Sequence, residues 1–167
     1  MPRVADVGAR VLGVMVMELD DFASVLSQSE FFGICSDEQR RFLAFASERR
    51  VFEPGEYLFK KGDASQGAFV LMSGRVLAGE GNAVHKLHAL TEPGTVLGEL
   101  GLILERPRRT SVRSADTVSV LFVPRTAFIK LMRQYPAMAE RAAARISAEL
   151  EDFLGNMSHF GDNGRGD

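Results

Sequence analysis

The chain has 167 residues, 46% of them hydrophobic and 25% charged, a composition that suits a globular protein with enough length for one full core. Its formal net charge of −2 supplies no general attraction to nucleic acid or to an anionic membrane surface, so partners held by bulk charge are not expected. The single cysteine, Cys35, allows neither an internal disulfide nor a thiolate metal cluster, and a reducing cytoplasm is the expected location.

Residues 4 to 29 carry Val4, Val7, Val11, Leu12, Met15, Leu19, Phe22, Val25 and Leu26 at helical spacing, which predicts one or two amphipathic helices in an N-terminal segment spanning 1–29. The most apolar window, Val11 to Met17, runs straight into Glu18, Asp20 and Asp21. It is far shorter than the roughly 20 residues of a membrane span. Asp6 among the flanking arginines, with no small-residue cleavage pattern downstream, argues against a secretory signal. Ser36 stands three residues before Gln39 in a capping-box pattern, ahead of Phe42, Leu43 and Phe45, and predicts a helix from about 37 to 48.

From Arg50 to Val123 the pattern changes to short runs of β-branched and aromatic residues. They are divided by turn signals at Pro54-Gly55, Gly62-Asp63, Ser73-Gly74, Gly79 to Asn82 and Pro93-Gly94, the punctuation of a β-sandwich or barrel. The last strand, Thr117 to Val123, is apolar on both faces and predicts burial on both sides. After Pro124 the helical period returns with Phe128, Leu131 and Met132. Pro136 is placed to open a further helix carrying Met138, Ala142, Ile146, Leu150, Phe153 and Leu154. The expected organisation is a domain over 30–155, with a β-roll at about 49–123 and two helices at about 124–155, then a disordered polar tail over 156–167.

The stretch from Pro93 to Ser111 reads as an anion-binding cassette. Gly98-Glu99-Leu100-Gly101 after an apolar run suits a short helix whose first N–H groups have no partner earlier in the helix and are open to a phosphate. Pro107-Arg108 then returns guanidinium groups toward that helix, where an arginine can fork two phosphate oxygens. Glu99 supplies acceptor oxygens for a sugar hydroxyl.

With Phe52 to Asp63 and Phe69 to Val76 preceding it in order, this cassette resembles the cyclic-nucleotide-binding domain family, which includes bacterial catabolite activators, protein kinase A regulatory subunits and cyclic-nucleotide-gated channels. The resemblance covers residues 30 to 155. It implies a mostly β fold, a double-stranded β-helix or jelly-roll sandwich with N-terminal helices and two C-terminal helices, and a regulatory rather than catalytic role. It also implies that Arg108 clamps a cyclic phosphate with help from the N–H groups of Leu100, Gly101, Arg109 and Thr110. Glu99 takes the ribose 2′-hydroxyl, and Gly98 and Gly101 let the backbone approach the ligand. Val96, Leu97 and Ser111 are candidate base contacts, with Leu150 or Phe153 as an apolar lid. Family members commonly carry Ser, Thr or Ala where this chain has Arg109, and a hydroxyl there often accompanies guanine recognition. Cyclic AMP is therefore expected in preference to cyclic GMP.

No metal site is expected. His85 and His88 lie three apart in a predicted strand and face opposite sides, and His159 is near the end of the chain. No nucleophile triad, P-loop or dinucleotide fingerprint is present, so an enzyme is not expected. Three readings remain open at this level: a stand-alone cyclic-nucleotide receptor, the sensor portion of a catabolite-activator-type transcription regulator, and an interaction module that has lost its ligand. Only about a dozen residues follow Gly155, too few for a recognition helix. Homodimerisation through the first and last helices and an unidentified downstream protein partner complete the expectations.

Overall fold

The structure, a computed structural model, describes residues 4–79 and 87–148. The helical spacing of the N-terminal segment produces one continuous helix, α1 (Val4–Gln28). Phe22, Val25 and Leu26 in its last turns are buried, whereas every residue from Val7 to Glu18 is exposed. A 3-10 turn (Phe31–Ile34) follows, and then the expected capping box. The Ser36 hydroxyl accepts from the Gln39 N–H at 3.2 Å, and Gln39 Oε1 accepts from the Ser36 N–H at 2.8 Å, opening α2 (Asp37–Ala46). This helix stops short of the expected residue 48 because Glu48 already pairs with Phe122 in a sheet. Leu43 is its core residue, while Phe45 is 72% exposed.

Eight strands build two four-stranded antiparallel sheets. The first sheet has the order β1 (Glu48–Phe52), β8 (Val118–Pro124), β3 (Gly67–Ser73), β6 (Val96–Leu97). The second has the order β2 (Tyr57–Phe59), β7 (Ser111–Ser114), β4 (Val76–Gly79), β5 (His88–Leu90). This is the β-sandwich with flanking helices that the sequence predicts. Strand β8 lies between β1 and β3, and its position inside the sheet explains why Val118, Val120, Leu121, Phe122 and Val123 are all buried.

Between the sheets, Leu58, Phe59, Phe69, Leu71, Val76, Leu97, Val112, Val118, Val120 and Phe122 form one hydrophobic cluster. Phe69 is its hub, with ring centroids 5.2 Å from Phe122, 5.9 Å from Phe59 and 6.4 Å from Phe52. A second aromatic group joins the 3-10 turn to α3 (Arg125–Gln134): Phe128 sits 5.8 Å from Phe31 and 6.3 Å from Phe32.

The chain divides into two compact units after Leu131. The sandwich, α1, α2 and the start of α3 belong to the first. The second includes the end of α3 and a helical run over 136–148, opened by Pro136 as expected, in which Met138, Ala142 and Ile146 are buried at four-residue spacing. Leu150, Phe153 and Leu154, the tail, and His85 and His159 lie outside the described residues.

Candidate functional site

Strand β6 ends at Leu97, whose side chain is buried in the sandwich cluster, and the chain then reverses at Gly98 with φ 77°. A β-carbon is disfavoured in that left-handed conformation. The 3-10 turn Glu99–Leu102 follows and is closed by the Gly101 N–H donating to Gly98 O at 2.9 Å. Of the four N–H groups expected to serve an anion, that of Gly101 is therefore already engaged within the turn. Further on, the Arg108 N–H donates to Asp63 O at 2.8 Å and the Gly62 N–H donates to Arg108 O at 2.7 Å. This two-bond stitch to the loop after β2 fixes the backbone of Arg108 and directs its side chain into the protein.

The Arg108 residue is 8% exposed. Its guanidinium carbon lies 4.3 Å from the centroid of Phe59 and 5.8 Å from that of Phe69, so the cation rests on the aromatic end of the sandwich core. Nη2 donates to Gly67 O at 2.8 Å and Nη1 to Gly98 O at 3.4 Å, while the buried Nε has no hydrogen-bond partner. Among the described residues no carboxylate lies at ion-pair distance from this guanidinium. Burial pulls its pKa down to about 10; the neighbouring positive charge of Arg125 adds to the lowering, and Asp63 opposes it. A buried cation with carbonyl dipoles but no counter-ion is an arrangement that an anion would relieve.

Gly98 and Gly101 make room for this cation. A β-carbon on Gly98 would collide with Arg108 Nη1, and one on Gly101 would collide with Ser65 Oγ and Gly67 O and come within 3.0 Å of Arg108 Nη1. The spacing that suggested close approach of backbone to ligand is occupied here by close approach of backbone to the guanidinium.

The remaining sequence candidates surround this centre. Glu99 and Leu100 are half-buried in the 3-10 turn, Arg109 is exposed and Thr110 is half-buried. The Ser111 hydroxyl opens β7 and accepts from the Lys61 N–H at 2.9 Å. Val96 is half-buried on β6.

Four residues of the site were not singled out from sequence: Phe59, Ser65, Gly67 and Arg125. Phe59 stands in the Phe52-to-Asp63 run, but no local pattern there marks its contact with Arg108. Gly67 is 41 residues from Arg108, and no local pattern announces that pairing. Arg125, the first residue of α3, aims Nη1 at Ser65 O (2.7 Å), Gly101 O (3.2 Å) and Leu104 O (3.4 Å). It thereby ties the cassette to the first turn of α3. Among the described residues no group of His, Cys, Asp and Glu is arranged to hold a metal ion, and no helix is long and apolar enough to cross a membrane.

A cyclic nucleotide-binding domain model matches residues 49–135, more than half of the chain. The chain is 27% identical over 128 residues to the cyclic AMP receptor protein of Thermus thermophilus, an alignment covering 73% of this chain and 57% of that protein. Among solved structures, the cyclic nucleotide-binding-like protein from Brucella abortus superposes with a TM-score of 0.57 at 28% identity, covering 68% of this chain and 98% of that one. The regulatory domain of Toxoplasma gondii PKA with cAMP superposes with a TM-score of 0.64 at 20% identity, covering 80% of this chain and 51% of that one, a likeness of fold. The chain thus spans little more than half the length of the Thermus protein.

Proposed function

Because the chain belongs to the cyclic nucleotide-binding domain family, we propose that it is a receptor module for cyclic AMP, with Arg108 clamping the cyclic phosphate and Glu99 accepting a hydrogen bond from the ribose 2′-hydroxyl. The observation that carries this reading is the buried Arg108 guanidinium, which among the described residues has no carboxylate at ion-pair distance and one N–H without an acceptor. A singly charged cyclic phosphate supplies both, and it exchanges weak carbonyl contacts for charge-assisted bonds. Phe59 and Phe69 hold the planar cation from one side, which orients its fork before ligand arrives.

Cyclic AMP is favoured over cyclic GMP because Arg109 offers no hydroxyl at the position where family members that take guanine often have one. The similar Thermus protein is a cyclic AMP receptor protein, which supports the same choice. Signalling follows from differential affinity for two arrangements of the cassette. Arg125 links the Gly101 and Leu104 carbonyls to α3, so a cassette drawn toward phosphate would pull on that helix. Val96 and Ser111 as base contacts belong to the same proposal.

Isothermal titration calorimetry of protein stripped of bound nucleotide, with cyclic AMP, cyclic GMP and the Arg108→Ala variant, tests it. Saturable binding of cyclic AMP that Arg108→Ala weakens by about 2 kcal/mol or more is expected, the scale of a charge-assisted clamp. Absence of heat with either nucleotide from folded, empty protein would overturn it in favour of an interaction module without ligand.

A further inference from the structure

The N-terminal half of α1 is apolar and uncovered. Val7, Val11, Leu12, Val14, Met15, Val16 and Met17 are each between 47% and 69% exposed, along roughly three turns of helix. Steps of three and four residues connect Leu26 and Phe22, buried on the domain, through Leu19 to Met15, Val11 and Leu12. The stripe that seals the end of α1 against its own domain therefore continues outward past the point where the domain stops.

Charge along this exposed rod is ordered. Asp6 and Arg10 stand near its beginning, and Glu18, Asp20 and Asp21 at its end, with Arg10 as the only cation of the helix; Arg10 and the last three are exposed. A second copy of α1 running in the opposite direction places each Arg10 beside the acidic cluster of its partner, with the apolar residues in register around Val14. A parallel copy would set acid against acid and arginine against arginine. The surface is thus self-complementary under a twofold axis, the symmetry an isologous dimer requires. A lipid surface fits less well, because interfacial helices carry a basic polar face and this helix has four acidic residues and a single arginine in its sequence.

From this self-complementarity we infer that the chain dimerises through an antiparallel pair of α1 helices crossing near Val14. The pair is short, so the dissociation constant is on the order of micromolar. None of the residues involved belongs to the nucleotide site, and the inference stands independently of the ligand reading.

Sedimentation velocity on the full chain from roughly 1 to 100 µM reads the equilibrium directly. A concentration-dependent monomer–dimer exchange is expected, abolished by Val11→Glu with Met15→Glu. Both side chains are exposed, so circular dichroism and thermal midpoint should remain those of the parent protein. Arg10→Glu should weaken the dimer by about tenfold or more, and adding Glu18→Arg in the same chain should restore it. Direction is read by oxidation of single-site variants: Val14→Cys should form a covalent dimer and Val7→Cys should not, with Cys35 buried and silent in both. A monomer throughout the range overturns the inference, including one that instead sediments with phosphatidylcholine–phosphatidylglycerol vesicles. So does a dimer indifferent to the Val11 and Met15 changes. Equal cross-linking of Val7→Cys and Val14→Cys overturns the antiparallel arrangement.

Discussion

Two adjoining regions of the sandwich handle burial in opposite ways. The aromatic cluster around Phe69 fills its space with groups that ask nothing of their neighbours except contact. The cassette beside it buries a guanidinium whose hydrogen bonds, among the described residues, go to the Gly67 and Gly98 carbonyl oxygens. Phe59 is shared, core ring on one side and platform for Arg108 on the other. The contrast teaches that the core holds the fold together, while the cassette keeps a buried, incompletely satisfied cation that the proposed phosphate ligand would complete.

If this division is right, damage to the two regions should separate in what it affects. Phe69→Ala removes the hub of three ring contacts and should lower unfolding free energy by about 3–5 kcal/mol in urea titrations. Arg108→Ala should do the reverse, with a stability change of roughly 1 kcal/mol or less, because relief of the buried charge offsets the loss of donors to Gly67 O and Gly98 O. Its effect should appear as the loss of nucleotide affinity described above. Gly101→Ala lies on the border: its β-carbon meets the Gly67 carbonyl and the Ser65 hydroxyl, so thermal melts should show about 1–3 kcal/mol of destabilisation together with weaker binding. Ser36→Ala, remote from both regions, removes one half of the capping box. It should cost about 1 kcal/mol with binding unchanged.

The smallest effect within the ordinary working range is that of pH. Burial lowers the folded-state pKa of Arg108 to about 10, so the cost of holding the cation is fully present at neutral pH and is relieved as pH climbs through that value. Ligand affinity runs the other way, since the phosphate needs the cation. This residue should leave nucleotide affinity flat from about pH 6 to about 9 and reduce it above about 10, a trend calorimetry can follow. A steep loss between about pH 6 and 9 would assign the phosphate to a different group.

Much of the architecture was legible because it is written in local signals. The capping box at Ser36 and Gln39, the two-faced apolar strand ending at Val123, and Pro136 at a helix start are each decided within a few residues, and each appears in the structure. The end of α2 was misjudged by two residues. Glu48 pairs with Phe122, and a sheet partner more than seventy residues away has no local signature. Phe45 in the same helix is exposed because only the side bearing Gln39, Leu43 and Ala44 meets the domain.

Within the cassette, Arg108, Gly98 and Gly101 stand out in the sequence, but not the close approach of the two glycines to the guanidinium. Gly98 and Gly101 were read as room for a ligand; in the fold they are room for the arginine itself. For α1 the helical period was plain, whereas the point at which its stripe leaves the domain near Leu19 depends on where the sandwich ends.

Helical and β character and their order along the chain were legible in the sequence alone, since they follow from periodicity and turn residues, and the ordered motifs carried the resemblance to the family. The acceptors of Arg108, its perch on Phe59, the bridge from Arg125 to the cassette, and the uncovered half of α1 were decided only by the tertiary structure. Each joins or separates residues distant along the chain, and the backbone path that brings them together is set by sheet pairing and core packing rather than by any neighbouring residue.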